Sequence, residues 1–490
     1  MKVAHVGNTA NNAYLNAKFL RRLDVEADAY YASADFGMGH PEWEYADFEG
    51  ETDPYNPPDW STVRFTNGYA RPEWAMSIDG EARPAGSADA AVGAAKRRIS
   101  KSLTGLLYGH RRDPLSKAAL SLLLTARKAY VGVKSLRADR RAARRDAAEL
   151  LAAVRGELAG AGIDVDIGVG DLLGFRFVAE CRELAARYDI VQLYGSEATK
   201  GPLLGPEARY VTFEHGTMRL LPFADTREGR LLAESYRRAP AALITNADCL
   251  RAAERLGLPP ARFRFIPHPV DEDKYTPAET PLRAELQERF DAEHIFLLPT
   301  RHDWEWLRGD SKRVDKALRA FVRFTAERPK SLLILCEWGH EVAKSKRFLS
   351  ENDVADRVLW TKPVPKMRLL AMYRASDAVL DQFSESIGSF GALTAEALSC
   401  GKPVITYLDR AIHDRCFVEQ PPTLDALAED EILERMRRVV SDPAFARKVS
   451  EDSRRWVEEH HGWRLVGERL RSVYERVLAG DDLADMEERV

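Results

Sequence analysis

The sequence predicts an α/β protein with two parallel-sheet domains facing a central cleft, and three observations predict it. Short β-branched or aromatic runs alternate with helical patterns along the chain, which is how parallel sheets with crossover helices read. At 490 residues the chain exceeds what one hydrophobic core usually supports. A proline-rich, charged stretch from His268 to Leu282 splits the runs into two sets.

The first set is Lys2 to Val6, Asp28 to Ala32, Val165 to Ile167, Asp189 to Tyr194, Tyr210 to Glu214, Ala242 to Asn246 and Arg264 to Pro267. The second is Ile295 to Pro299, Leu332 to Cys336, Val358 to Trp360, Asp377 to Leu380 and Val404 to Tyr407. Between them Pro269, Pro277 and Pro281 disfavour regular structure. The expected organisation is a first domain over 1–268, a linker over 269–289, a second domain over 290–455, and a helix in 456–490 packing back toward the first domain. Within the first domain, 35–80 is rich in Pro, Trp, Gly and acidic residues and reads as an ordered insertion over the sheet or a flap. Residues 96–145 read as a basic helical segment.

Composition narrows the class. Seventy-two Lys and Arg stand against 76 Asp and Glu, and no apolar run approaches about 20 residues, so a globular protein without a membrane span or a nucleic-acid partner is expected. Met1 to Gly7 already reads as a strand, so a secretory signal is unsupported. Cys181, Cys249, Cys336, Cys400 and Cys416 are scattered, which indicates neither a zinc site nor a disulfide framework. The expected location is cytoplasmic, with peripheral attachment at the inner face of the membrane as an option.

The chemistry concentrates in the second half. From Gly388 to Val404 a glycine-bearing loop, including Phe390 and Gly391, opens a short helix at Ala392 that stops at Gly401 before a strand. A helix start offers unpaired N–H groups and a positive dipole end, a seat for a phosphate or for sugar hydroxyls. Glu396, one turn in, can accept two hydrogen bonds from a ribose diol; the plainer reading is a solvated glutamate on a helix that merely follows a turn. Upstream, Arg301 follows a strand and Lys312 opens a helical pattern, putting two cations near the carboxyl edge of the second sheet. Either alone reads as a solvated surface charge. Together they suit a diphosphate and the charge that grows as it leaves.

These residues resemble the retaining glycosyltransferases of family 4, which have the GT-B fold of two Rossmann-like domains. The resemblance rests on Thr300-Arg301 with Lys312, Trp338-Gly339, the run Val358 to Pro365, Ala375-Ser376-Asp377, and Gly391 to Val404, in the family's order. It implies that Arg301 and Lys312 grip the donor diphosphate and that Trp360 to Pro363, with Lys362, hold the base through backbone groups. It also implies that Gly388, Phe390, Gly391 and Ala392 form the donor-binding loop and that Glu396 binds the ribose. The family's other glutamate falls on Gly388, a departure that leaves Glu385 or Ser386 to supply a sugar-hydroxyl contact. In the first half the match is weaker. Gly7 and Asn8 stand where the family places a loop against the donor phosphates, and Glu214-His215-Gly216-Thr217 would put His215 near the donor sugar. Asn246-Ala247-Asp248 and Val270-Asp271 resemble segments lining the cleft.

The implied activity is transfer of a sugar from a UDP-, GDP- or ADP-sugar to a glycan, lipid-linked or small-molecule acceptor with retention of configuration. His215, Arg301 and Lys312 would serve it by positioning and charge stabilisation, without a covalent nucleophile. No cofactor and no metal are required. Asp164-Val165-Asp166 spells a metal motif of the other glycosyltransferase fold but precedes a strand and reads as ordinary structure. An epimerase or hydrolase of the same fold, or a non-catalytic sugar-nucleotide-binding protein, are the alternatives. The cations of 96–145 alternate with apolar clusters, a pattern that fits either an anionic membrane surface or a solvated hairpin.

Overall fold

The computed structural model describes residues 1–33, 36–48, 57–79, 136–305 and 311–490. Most of the basic segment 96–145 and parts of the insertion 35–80 lie outside them. The first sheet has seven parallel strands: β1 (Lys2–Val6), β2 (Glu26–Tyr31), β3 (Ala75–Ser77), β4 (Ile190–Tyr194), β5 (Tyr210–Phe213), β6 (Ala241–Ile244) and β7 (Phe263–Phe265). Their spatial order is β3-β2-β1-β4-β5-β6-β7. The second sheet has six: β8 (His294–Leu298), β9 (Ser331–Cys336), β10 (Val358–Thr361), β11 (Ala378–Leu380), β12 (Val404–Thr406) and β13 (Leu424–Asp425), in the order β10-β9-β8-β11-β12-β13.

Helices cover both faces, so the central strands are apolar at nearly every position: Ile295 to Leu298 of β8 are all buried. The flanking helices are amphipathic. In Val314–Glu327, Val314, Ala317, Leu318, Phe321 and Phe324 recur at helical spacing and pack under the second sheet. In each sheet the winding direction reverses once, between β1 and β4 and between β8 and β11. Such reversals open a crevice at the carboxyl ends of the strands, where open α/β sheets bind ligands.

The chain passes between the halves twice. After β7 it crosses from the first sheet to the second, and after the helix Pro443–His460 it returns. The last helix, Trp463–Ala479, buries Val466, Leu470, Val473 and Tyr474 in the core of the first half beside Phe19 and Leu20. Gly467 permits the approach, since a Cβ there would lie 2.8 Å from Leu23 Cδ1. The two crossings touch where His461 Nδ1 meets the carbonyl of His268 at 3.1 Å.

Four elements differ from the sequence reading. Pro281, expected to disfavour regular structure, opens the helix Pro281–Phe290 at a position where proline is tolerated. Val165 to Ile167 is not a strand; it is extended chain whose Ile163, Val165 and Ile167 face a local cluster under Leu136–Gly160. Arg155 Nε takes the Ile167 carbonyl at 2.8 Å in place of a neighbouring strand. The alternation that suggested a strand serves helix packing instead. Conversely, β3 (Ala-Met-Ser) and β13 (Leu-Asp) hold no β-branched or aromatic residue and so leave no strand signal in the sequence.

The described parts of the insertion build a small aromatic core of Trp43, Phe48, Trp60, Phe65 and Tyr69, closed by a bridge between Phe48 and Phe65. They also reach the second half. Arg368 Nε donates to Asp47 Oδ1 at 2.9 Å, and Lys274 in the first crossing pairs with Glu44 at 2.5 Å.

Candidate functional site

At the reversal of the second sheet, β8 leads into Thr300, Arg301 and His302. Arg301 Nε lies 2.7 Å from Asp303 Oδ2, and the buried Asp303 also receives the His340 N–H at 3.0 Å and His340 Nδ1 at 2.9 Å. Burial pushes this carboxyl up, but His340 and Arg301 outweigh it and hold Asp303 below the usual carboxylate range. The turn at Trp338-Gly339 supports the same loop: His302 N donates to Trp338 O at 2.7 Å. Gly339 has φ +104°, and a Cβ there would lie 2.4 Å from His302 N, so only glycine fits. Trp360 rests against the His302 ring at 5.1 Å, and Lys362 pairs with Glu337 beside it. The Lys312 carbonyl accepts from Phe383 N at 3.0 Å, which ties Lys312 to the exit of β11 on the other side of the reversal.

The loop after β11 is stapled by Gln382, whose side chain donates to Tyr407 O at 2.6 Å and accepts from Ser384 N at 3.0 Å. It ends at the helix Ala392–Ser399, whose first N–H groups have no intrahelical partner. Gly388 lies in this loop at φ +60°, and a Cβ would lie 3.0 Å from Asp409 Cβ. A left-handed backbone against Asp409 explains why position 388 carries no glutamate. Glu385 and Ser386 are exposed. The Phe390 ring turns into the core, stacking on His413 at 5.5 Å, so this residue offers the site its backbone alone. Glu396 is 5% exposed; Lys366 Nζ donates to its Oε1 at 2.5 Å and Tyr373 OH to its Oε2 at 3.1 Å.

Across the cleft, Gly7 follows β1 at φ +93°, where a Cβ would lie 2.4 Å from Glu197 Cγ. Asn8 is occupied in holding this loop: it donates to Asn11 Oδ1 and Gly39 O, both at 2.7 Å, and accepts from Tyr14 N at 2.9 Å. His215 follows β5. Asn12 Nδ2 lies 3.2 Å from Thr9 O, which identifies the nitrogen end of that amide, and 3.0 Å from His215 Nδ1. His215 Nδ1 therefore accepts and its proton sits on Nε2. Burial, and secondarily Arg219, lower the imidazole to about 4, so His215 is neutral at ordinary pH. Glu214, just before it, is buried and accepts from Gly216 N and from Asn246.

The two halves meet here. Arg219 grips Asp248 with Nε at 2.5 Å and Nη2 at 2.9 Å, and Asp248 Oδ1 in turn accepts from Ser389 Oγ of the glycine loop at 2.5 Å. His268 is pushed well down by burial and then by His215, His461, Arg219 and Lys312. Its environment thus joins His215 of the first sheet to Lys312 of the second. Sequence reading named His215, Lys312 and Glu396 but missed Arg219, Lys366 and His268. Arg219 had a signal, since it stands four residues after His215. Lys366 had none, because its role depends on the fold bringing it to Glu396.

Comparison with known proteins agrees with the two-sheet fold. Residues 308–456 match the family model described as glycosyl transferases group 1. A GDP-mannose-dependent alpha-(1-6)-phosphatidylinositol monomannoside mannosyltransferase of Mycolicibacterium smegmatis is 24% identical over 312 residues, 59% of this chain and 77% of that protein. Among solved structures, sucrose-phosphate synthase from Thermosynechococcus elongatus is similar over 98% of this chain and 100% of that one, with TM-score 0.54 and 13% identity. Anabaena HepE in complex with UDP-glucose is similar over 63% and 84%, with TM-score 0.51 and 14% identity. The second half of the chain thus carries a glycosyl transferases group 1 domain, set in the two-sheet GT-B architecture.

Proposed function

We propose that this protein is a retaining glycosyltransferase of family 4 that moves a sugar from a nucleotide-sugar donor to an acceptor hydroxyl. The reading is carried by the meeting of both sheet reversals at one place, with Lys312 and the Ala392 helix start on one wall and His215 on the other. In it, Arg301 and Lys312 bind the diphosphate, Glu396 with Lys366 the ribose, and Trp360 to Lys362 the base. The domains are 1–268 and 290–455, joined by 269–289, with 456–490 returning to the first. The cations and the helix dipole stabilise charge on the departing diphosphate. The neutral His215 donates its Nε2–H to the sugar or a phosphate oxygen. The name of the mycolicibacterial relative makes GDP-mannose the first donor to test. A cytoplasmic location with attachment to the inner membrane face through 96–145 belongs to the same proposal. No helix among the described residues is long and apolar enough to cross a membrane.

A thermal-shift screen of UDP-, GDP- and ADP-sugars tests the reading, because a ligand bound only by the folded state at about 100 times its Kd adds about 2.7 kcal/mol. One of them should raise the melting temperature; silence from all three classes would refute it.

Two further results are expected. His215→Ala should lower the rate about a hundredfold while nucleoside diphosphate binding changes little, as for loss of one preorganised donor near the reacting sugar. With its proton taken up only near pH 4, His215 should put no inflection near 6.5 into kcat/KM. The unfolded chain takes that proton near 6.5, so the stability from this site is complete above about 6.5 and is lost as pH falls toward 4. An acid limb at 6.5 that disappears in His215→Ala would contradict the assignment. Gly388→Glu, which restores the family residue, should lower the melting temperature and give no gain in turnover, because the left-handed backbone and Asp409 leave no room.

A further inference from the structure

The turn that carries His215 is clamped on two sides to the segment Asn246 to Asp248. Before the turn, Glu214 accepts from Asn246 N at 3.1 Å and from Asn246 Nδ2 at 3.0 Å. After it, Arg219 folds back over the turn: a Cβ on Gly216, which sits at φ +81°, would lie 2.8 Å from Arg219 Nη1. The far edge of the same guanidinium meets Asp248, Nε on Oδ2 and Nη2 on Oδ1. A bidentate pair of this kind is fixed in angle as well as in distance, and its side chains are only 17% and 7% exposed. The His215 turn and Asp248 therefore form one rigid piece.

That piece holds the glycine loop of the second half at two successive points. Asp248 Oδ1, already bound by Arg219, accepts from Ser389 Oγ at 2.5 Å. Three residues on, Arg251 Nη2 reaches Asp409 Oδ2 at 2.5 Å, and Asp409 N donates to Gly388 O at 2.8 Å, so this contact backs the loop from behind. Ser389 is itself rigidly placed. Gly388 before it is at φ +60°, Gln382 Nε2 reaches the Ser389 carbonyl at 3.4 Å, and Phe390 after it is anchored by its ring on His413 and Trp456. The bond from Ser389 to Asp248 thus joins two fixed pieces across the junction of the halves. With Ser389 2% exposed, it is a charge-assisted bond away from water, roughly twice as strong as a neutral one.

We propose that Asp248 is a positioning residue for the transfer: it keeps the glycine loop and His215 in one register, through Ser389 on one side and Arg219 on the other. This rests on the glycosyltransferase reading above, in which Asp248 touches no reacting atom. Without the Ser389 hydroxyl the loop keeps its N–H groups and Lys312 its charge, so a diphosphate still binds. What is lost is the fixed distance from His215 to the sugar that the diphosphate carries, and a misplacement of about 1 Å costs on the order of 100-fold in rate. The loss falls on turnover and spares nucleotide binding. Asp248 keeps both bonds from Arg219 when the hydroxyl is removed, so no buried charge is left unpaired.

The test is a double-mutant cycle of Ser389→Ala and His215→Ala. Turnover is read as nucleoside diphosphate released from the donor that thermal shift selects, and binding by calorimetry with uridine and guanosine diphosphate. Ser389→Ala should lower kcat about tenfold or more, as for loss of one hydrogen bond to a charged group, with diphosphate affinity within about twofold of wild type. In the His215→Ala background the same change should cost less than about twofold, because two changes that act through one group do not add. Arg251→Gln breaks an exposed contact between the same two pieces and is the control, expected to change kcat less than about threefold. Fold-changes that multiply in the cycle overturn the proposal. So does a loss of diphosphate affinity in Ser389→Ala that matches its loss of kcat, or an Arg251→Gln defect as large as that of Ser389→Ala. The two readings fail separately. If no diphosphate or nucleotide sugar binds the wild type, the glycosyltransferase reading falls and takes this role with it; if His215→Ala slows a donor-dependent turnover while the cycle multiplies, the positioning role alone falls.

Discussion

Glu396→Gln is expected to lower kcat/KM by about a hundredfold or more, and Lys312→Ala by a similar factor, each with loss of the melting shift that the donor produces. The ribose diol would give two hydrogen bonds to a carboxylate, each worth about 1.5–3 kcal/mol when one partner is charged. In the proposed reading Lys312 supplies charge where the diphosphate departs, and removing one such group costs on the order of 100-fold or more. Glutamine is the better replacement at 396, because it keeps the shape that Lys366 and Tyr373 hold, whereas alanine would leave the Lys366 ammonium facing a void. Steady-state kinetics with the donor found by thermal shift decides the matter. Near-normal turnover in both variants would remove these residues from the site.

The largest effect on stability is expected from Glu44→Ala. Glu44 and Lys274 form a pair whose side chains are 1% and 6% exposed, and burial holds the Lys274 ammonium below its ordinary range even with Glu44 beside it. Removing one partner leaves a buried charge uncompensated, which costs about 3–5 kcal/mol. For a protein of this size that is a fall in melting temperature of about 3–5 °C, readable by calorimetry. Glu44→Leu combined with Lys274→Met should recover most of the loss, because the charge is removed with its partner. A change under about 0.5 kcal/mol in Glu44→Ala would mean that solvent reaches the pair. An exposed pair such as Lys448 with Asp452 should show only such a small change.

The sheets were legible because a strand buried on both faces is apolar at nearly every position, as Ile295 to Leu298 is throughout and Ile190 to Tyr194 is but for Gln192. The proposed donor wall can be picked out in the sequence because Arg301 and the glycine loop follow strand ends. What escaped depends on partners distant in the chain. Nothing near Lys366 announces that the fold will set it against Glu396, thirty residues on. Phe390 sits in a glycine loop and reads as a ligand-facing aromatic, yet helix Pro443–His460 and its neighbours supply the aromatic and imidazole surface that draws the ring inward. Asn8 reads as a polar group beside a phosphate loop, but the loop consumes its amide. A short polar side chain next to a glycine serves the backbone as readily as a ligand.

The two crossings of the chain have a mechanical consequence. They touch at His268 with His461 and at Glu272 with Trp463, so the two covalent strands that join the halves are tied side by side. Strands tied in this way favour rotation of the halves about an axis along them over sliding or separation. The His215 ring lies 6.2 Å from that of His268, so the site stands close to that axis, where a given angle of rotation produces the least displacement. The exposed salt bridges of Arg368 to Asp47 and of Arg415 to Glu254 join the halves at the surface and, being weak, are contacts that a rotation would break first. Opening for substrate exchange would then spare the geometry around His268 while parting the periphery, so that small-angle scattering would register a change in overall size far larger than any change at the site.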